Sequence, residues 1–462
     1  MRLARYNHLV NALAPPGSPA HARLRQAVIA VTVAIVLADS SVVILALPDI
    51  LTRFDVEVAQ VAWVLTAYNL VLALLAIPAA MISRRAPGAI WAVGAVVFGG
   101  ASVACALAGS LEVLIAARCV QAEGGAFLVA GARPLLDTLT PRAGRMWAVA
   151  GVAGLAVGPA VGGALTQLIS WQSIFVVQVP VMLVGAAALG LRTRRETGTP
   201  GRPHVLANLS LVLISAGLTA ALFLVVLLMI NGWGMRPLAA AVGVTLMPIA
   251  AILSARIAGH VGSDWARAMA GAVGVGGGLV ALGLMPGASV WWTALPQLLI
   301  GLGLGLAIPA LTDAALTEGR DQVVHAGWTI AARHLGVVLG ILLLTPIFVA
   351  DLDRQQDRAL NAVTGIVLDS SIAPETKIAL AREGEAVIAA ADGRVPDVAP
   401  AFDAVTPRED DRSAFRDLQA VVTDRVARAA TASVTRSFLA AAALALLALL
   451  PLGRARLGVR PQ

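Results

Sequence analysis

Five ionisable side chains stand inside long apolar runs of this 462-residue chain: Asp39, Arg118, Glu123, Arg333 and His334. A charged group at the centre of a bilayer costs about 2.5 to 3.5 kcal/mol on insertion scales. Such a group persists by pairing with an opposite charge or by being neutral part of the time. The chemistry these residue types offer is therefore proton binding and release. Burial disfavours a carboxylate and a nearby guanidinium favours it, so a small change in the separation of Asp39 and Arg118 would move the acid between its two forms. Other chemistries lack their parts. Lys377 is the only lysine and is followed by Ile378, so no glycine-rich loop ending in Lys-Ser or Lys-Thr can cradle ATP phosphates. The six histidines include no pair four residues apart, and the two cysteines, Cys105 and Cys119, form no Cys-x-x-Cys. No Gly-x-Ser-x-Gly elbow occurs. Neither metal hydrolysis nor serine-type catalysis is expected, and no cofactor.

The elements that must position these groups are membrane spans. The chain is 58% hydrophobic and 13% charged, against about 25% charged in a soluble chain, and its mean hydropathy is +0.82. Runs of about 20 apolar residues place spans near 27–48, 61–83, 88–109, 111–135, 145–168, 172–191, 205–231, 237–259, 267–286, 290–316, 324–350 and 435–452. The arginines divide by side. With the N-terminus inside, the inner segments hold Arg23 and Arg25, Arg84 and Arg85, Arg142 and Arg145, Arg192, Arg194, Arg195 and Arg202, and Arg454, Arg456 and Arg460. The outer loop 49–58 holds Asp49, Asp55 and Glu57 against Arg53. The nine tryptophans fall near span ends, as interfacial belts require. Both termini are thus expected in the cytoplasm of a multi-pass protein of the cell membrane, with no cleaved signal peptide. The formal charge of +7 is this topology and not a nucleic-acid footprint. Segment 351–432 carries 15 acidic and 10 basic residues on the outer side. It reads as short helices near 353–363, 377–391 and 413–432, broken by prolines and too poor in aromatics for a core of its own.

Depth and face then relate the charges. Asp39 lies about 18 Å and Arg118 about 20 Å above the inner edge of a 30 Å core, at 1.5 Å per residue. Arg118, Gln121 and Gly125 share one face of span 4, while Glu123 points away with Phe127. In span 5, Gly154, Gly158 and Gly162 recur every four residues, a stripe that lets helix backbones approach, and Pro159 permits a bend.

These residues form an ordered series. "ADSSVVILALP" around Asp39 resembles the first-span signature Leu-Asp-x-Thr-x-x-Asn-x-Ala-Leu-Pro of major facilitator superfamily drug:proton antiporters, in the group that usually has fourteen spans. "WVLTAYNL" from Trp63 is similar to that group's second span, "RCVQAEGGA" from Arg118 to its Arg-x-x-Gln-Gly-x-Gly motif, and "GLAVGPAVGGAL" from Gly154 to its span 5 antiporter motif. "WQSIFVVQVP" from Trp171 resembles Trp-Arg-x-x-Phe-x-x-Asn-x-Pro, with Gln172 and Gln178 substituted. "LIGLGLGLAIPAL" and "ARHLGVVLG" resemble spans 10 and 11. Two departures stand out. The loop after span 2, "AAMISRRAPGA", keeps Arg84 but has Ser83 where the family has Asp, and the two extra helices are missing, leaving about twelve spans.

The resemblance implies an all-α integral membrane protein of two six-helix bundles: a tail 1–26, a bundle 27–192, a central cytoplasmic loop 193–204, spans 7–11 over 205–350, an outer segment 351–434, and span 12 with its tail over 435–462. It implies a proton-coupled antiporter that exports a lipophilic substrate without ATP. Asp39 and Arg118 would couple the proton, and Gln121, Glu123 and Phe127 would contact substrate. Gly154, Gly158, Pro159, Gly162, Gly163, Arg84 and Arg333 would gate or pack, Arg333 against a C-half dipole or Asp313. His334 is expected to be a packed neighbour. Uptake or export of one specific metabolite, or sensing through the outer segment, are the alternatives.

Overall fold

The computed structural model describes residues 19–140, 142–187, 202–316, 322–391 and 397–458. The expected tail up to residue 18, the central loop up to residue 201, Arg192, Arg194, Arg195 and Arg460 lie outside the described residues. Every described element is a helix. Spans 1 to 6 are Pro19–Ile44, Val58–Ser83, Pro87–Ala106, Leu111–Leu139, Ala143–Leu168, and the interrupted Ser173–Val176 with Gln178–Ala187. Spans 7 to 12 are Val205–Leu227, Pro237–Val244 with Leu246–Ile257, Asp264–Gly283, Val290–Ala315, Gln322–Asp369, and Thr435–Leu447 with Leu449–Gly458. Ten stretches among the described residues are long and apolar enough to cross a membrane. Spans 5 and 6 complete about twelve, so the fold is the expected all-α membrane architecture.

Within the N-terminal half, span 4 packs on spans 2 and 3, and span 1 on span 5; within the C-terminal half, span 10 packs on spans 8 and 9, and span 7 on spans 11 and 12. The halves meet along two seams, span 2 with span 11 and span 5 with span 8. Small residues make these approaches possible. A Cβ on Gly327 of span 11 would stand 2.8 Å from the Cβ of Ala80 on span 2. At the same inner end, Arg133 Nη2 donates to Gln322 Oε1 at 2.5 Å, tying span 4 to span 11.

Three local features differ from the expectation. Span 1 ends at Ile44, and a turn at Leu45 and Ala46 leads into helix Leu47–Phe54, so most of the expected outer loop 49–58 is helical. Pro48 suits a first helical turn, and the helix buries Leu47, Pro48, Ile50 and Leu51. Span 11 does not stop near 350: it is a continuous helix of 48 residues and takes in the first helix expected outside. The remainder of the outer segment, Pro374–Ala391, Ala399–Asp403 and Arg412–Ser433, does build a small core. Ile372, Leu380, Phe402, Val405, Phe415, Leu418 and Val422 are buried together, and the rings of Phe402 and Phe415 meet edge-on at 5.3 Å. Asp351, buried, accepts from Arg354 and from Arg436 at the start of span 12, each at 3.0 Å. Trp91, Trp147 and Trp171 are also buried and serve packing, whereas Trp63, Trp291 and Trp292 are exposed at the span ends.

Candidate functional site

Asp39 and Arg118 are brought together. Arg118 Nη1 donates to Asp39 Oδ2, and neither side chain has any exposure. Their meeting follows from level depth on two helices that both pack in the N-terminal half. Each charge is then dressed by hydrogen-bonding groups, as burial demands. Gln178 Nε2, on span 6, donates to the other carboxylate oxygen at 3.0 Å. Arg118 also donates from Nη1 to Gln121 Oε1 at 2.6 Å and from Nε to the carbonyl of Val64 at 3.2 Å. The guanidinium carbon lies 4.0 Å from the ring centre of Tyr68 and 5.7 Å from that of Phe175. Nη2 has no hydrogen-bond partner among the described residues, and these ring faces are what compensates it.

A second layer holds the amides. Gln121 Nε2 donates to Ser102 Oγ and to Gln178 Oε1, both at 2.9 Å. Ser102 Oγ donates to the carbonyl of Phe98 at 2.8 Å, and the Cys105 thiol lies 3.7 Å from Gln121 Oε1. Tyr68 donates its hydroxyl hydrogen to the carbonyl of Val36 at 3.0 Å. Spans 1, 2, 3, 4 and 6 thus each contribute to one network around a single ion pair. Gln178, Ser102, Tyr68 and Phe175 were not among the expected site residues. The available signal was the presence of Ser102 and Gln178 as polar side chains inside apolar spans; which way they point could not be read from one sequence.

Of the other expected residues, Gln121 belongs to the network and the rest lie elsewhere. Glu123 is exposed on the face of span 4 that also exposes Val113 and Val120, turned away from the network. Phe127 is half-buried against Ala79, Ala80, Ala126, Ala130 and Val323 near the seam between spans 2 and 11. Gln121 is a fully buried member of the network. Arg84 is half-buried just past span 2. Ser83, where the family has an acid, is buried and donates to the carbonyl of Ala130 at 2.9 Å, a neutral tie between spans 2 and 4. Arg333 is partly buried and forms no ion pair with Asp313 or any other described residue. His334 is more than a packed neighbour: its Nδ1 lies 2.7 Å from Asn69 Oδ1 across the seam. Asn69 Nδ2 in turn donates to Ser40 Oγ at 3.0 Å, next to Asp39 in the chain.

The glycine stripe packs within one half. A Cβ would stand 2.2 Å from the carbonyl oxygen of Ala34 at Gly154, 2.2 Å from Ser41 Oγ at Gly158 and 2.5 Å from the carbonyl oxygen of Val42 at Gly162. All three contacts are with span 1, and Pro159 lies inside the same helix. Gly163 is different: its Cβ would meet Ala241 Cβ at 2.4 Å and the Pro237 carbonyl oxygen at 2.9 Å, on span 8 of the other half. One turn on, Gln167 Oε1 accepts from Leu238 N at 3.0 Å.

Residues 29–341 match the family model described as Major Facilitator Superfamily. The methylenomycin A resistance protein of Bacillus subtilis (strain 168) is 33% identical over 194 residues, which is 39% of this chain and 41% of that one. The multidrug efflux pump LfrA of Mycolicibacterium smegmatis is 28% identical over 336 residues, 71% of this chain and 59% of that one. The match thus spans less than two thirds of either relative. A solved structure of a bacterial homolog to the human lysosomal transporter Spinster, inward-facing and occupied, superposes with a TM-score of 0.61 at 17% identity, covering 94% of this chain and 98% of that one. At that identity the likeness is one of fold.

Proposed function

The chain belongs to the Major Facilitator Superfamily, and on that premise we propose that it is a proton-coupled antiporter of the cell membrane that exports a lipophilic small molecule by alternating access. Fold alone does not assign a substrate; relatives named for drug resistance and efflux support this class. The observation that carries the coupling is the complete burial of the Asp39 and Arg118 pair inside a protein whose family moves solutes. An ionisable group at that depth marks an ion or proton path more often than a structural tie.

The network accounts for the steps required. With Asp39 ionised, its two oxygens are held by Arg118 and Gln178, and the pair has no solvent exposure. For a proton to arrive, span 1 has to shift against spans 4 and 6. On protonation Arg118 keeps the Gln121 oxygen, the Val64 carbonyl and the Tyr68 face, so its charge stays solvated by the protein. Release on the opposite side restores the pair. One proton moving down 100 mV supplies about 2.3 kcal/mol, enough for a gradient of roughly fifty-fold per charge. Seen this way, Gln121 holds Arg118 in place instead of touching substrate.

The test uses the full-length protein in proteoliposomes with an imposed pH gradient. Adding a transported lipophilic compound should release protons in proportion to the compound moved. Substrate movement with no proton movement would overturn the coupling; proton movement driven only by one polar metabolite would replace the substrate class.

A further inference from the structure

Asp351 does more than tie span 12 to span 11. Its carboxylate is buried where the apolar part of span 11 ends, and its Oδ1 accepts from Arg354 Nη1 and from Arg436 Nη1, each at 3.0 Å. Its Oδ2 has no hydrogen-bond partner among the described residues. A carboxylate fixed inside the protein thereby holds two guanidiniums side by side, one from each span. Each gives one N–H to the shared oxygen, whereas a guanidinium has five. The arginine side chains stand in the open, 55% and 61% exposed. One carboxylate against two guanidiniums leaves one positive charge at this spot. The nearby Asp353 lines the side of span 11 that faces span 2.

The surface along the two spans from this pair is apolar and uncovered. On span 11, Leu343, Ile347 and Ala350 precede Arg354 at steps of four and three, so they share its face; Leu343 and Ala350 are exposed. On span 12, Leu439, Ala443 and Leu447 follow Arg436 at the same steps, and all three are exposed. The spans are direct neighbours here, with Ser437 Oγ donating to the carbonyl of Leu344 at 3.4 Å. Arginine at a membrane boundary lays its stem on apolar surface and keeps its charge at headgroup level. Its planar fork matches the oxygens of a phosphate.

We propose that Arg354 and Arg436 form a site for one anionic phospholipid. Its phosphodiester bridges the two guanidiniums and neutralises the positive charge that Asp351 leaves over, and its acyl chains lie on the exposed faces of 343–350 and 439–447. The occupant is a lipid and not a dissolved phosphate, because the charged pair stands directly at the head of uncovered apolar faces that a dissolved ion would not use. The lipid sits where segment 351–434 joins the membrane helices. The site is separate from the Asp39 network and does not depend on coupled transport.

The experiment strips the purified full-length protein of lipid in a neutral detergent. Phosphatidylglycerol or phosphatidylcholine with identical chains is then added back, and bound lipid is measured by native mass spectrometry. Phosphatidylglycerol should bind at least about ten-fold tighter, since choline adds a positive charge beside the same phosphate. A basic residue near the headgroups contributes roughly five-fold, so Arg354→Gln and Arg436→Gln should each weaken phosphatidylglycerol by about that factor and together by about twenty-fold. Arg354→Lys combined with Arg436→Lys keeps both charges against Asp351 but loses the forks, and it should weaken the lipid by about three-fold. Melting temperatures in neutral detergent will show that the variants fold. A phosphatidylglycerol with a photoactivatable acyl chain should label peptides containing 343–350 and 439–447. Equal binding of the two lipids, unaltered binding in the double glutamine variant, or labelling elsewhere would overturn the site. Inorganic phosphate displacing the lipid at equal concentration would overturn the lipid as occupant.

Discussion

His334 on span 11 and Asn69 on span 2 meet at 2.7 Å through the ring Nδ1 and the amide oxygen. The amide cannot be the other way round, because Asn69 Nδ2 donates to the carbonyl of Leu65 at 2.8 Å, and a carbonyl only accepts. The hydrogen in the bond therefore sits on Nδ1 of His334. The same amide donates to Ser40 Oγ, so a side chain of the C-terminal half reaches the turn of span 1 that carries Asp39.

Removing that bridge should loosen the seam without emptying the proton site. Asn69→Leu and His334→Phe should each lower turnover more than substrate affinity. A double-mutant cycle on thermal stability should return a coupling of about 0.5 to 1.5 kcal/mol, the usual worth of one internal hydrogen bond. Additive single effects would show that the two residues are neighbours only.

Asp39→Asn should abolish accumulation against a gradient while energy-independent exchange of substrate persists. Because it leaves Arg118 without its counter-charge but still held by Gln121, Val64 and Tyr68, it should also lower stability, by less than the roughly 3 to 5 kcal/mol of a buried charge left uncompensated. The double variant Asp39→Asn with Arg118→Gln removes both charges and should recover most of that stability with no recovery of coupled transport. Melting temperature and gradient-driven uptake, measured together, separate the two roles; coupled transport in the double variant would remove Asp39 from the proton path.

Gln178→Leu deletes one of the two donors to the carboxylate. Without it the carboxylate is held by Arg118 alone, so the pH profile of gradient-driven transport should differ from that of the parent protein. An unchanged profile in a folded variant would mean that Gln178 serves only to pack spans 1, 3 and 6.

Gly158→Leu and Gly163→Leu, five residues apart, should fail differently. At Gly158 the added bulk strikes Ser41 of span 1 inside one half, so the melting temperature should fall and binding with it. At Gly163 the bulk strikes span 8, between halves, so the protein should stay folded and bind substrate but turn over slowly. Equal loss of stability in both would show that span 5 makes no distinction between its two faces.

What could be read in advance follows from geometry. Asp39 and Arg118 were matched by counting rise per residue, and Gln121 by being one turn from Arg118. Span 5 showed its glycine period, but a period names no partner: that 154, 158 and 162 face span 1 while 163 faces span 8 depends on helix rotation, which an all-apolar helix does not encode. Gln178 and Ser102 were hidden for the same reason. Glu123 drew attention by its charge, although a carboxylate exposed on the outside of span 4 has no part in the network. In the outer segment the prolines signal breaks but not what the broken pieces pack against: Phe402 and Phe415 close onto each other because the breaks fold the chain back.

Span 11 has one more property, that of a lever. Its 48 residues reach about 70 Å at 1.5 Å per residue, more than twice a bilayer core, and it is tied to spans 2 and 4 along its first half. A tilt of about 10° at its start carries the far end through roughly 12 Å over this length, with Pro346 as a compliant joint where the rod leaves the membrane. A pair of spin labels, one on helix Arg412–Ser433 and one near Trp291, would register, as a distance change, a rearrangement that begins at the opposite end of span 11.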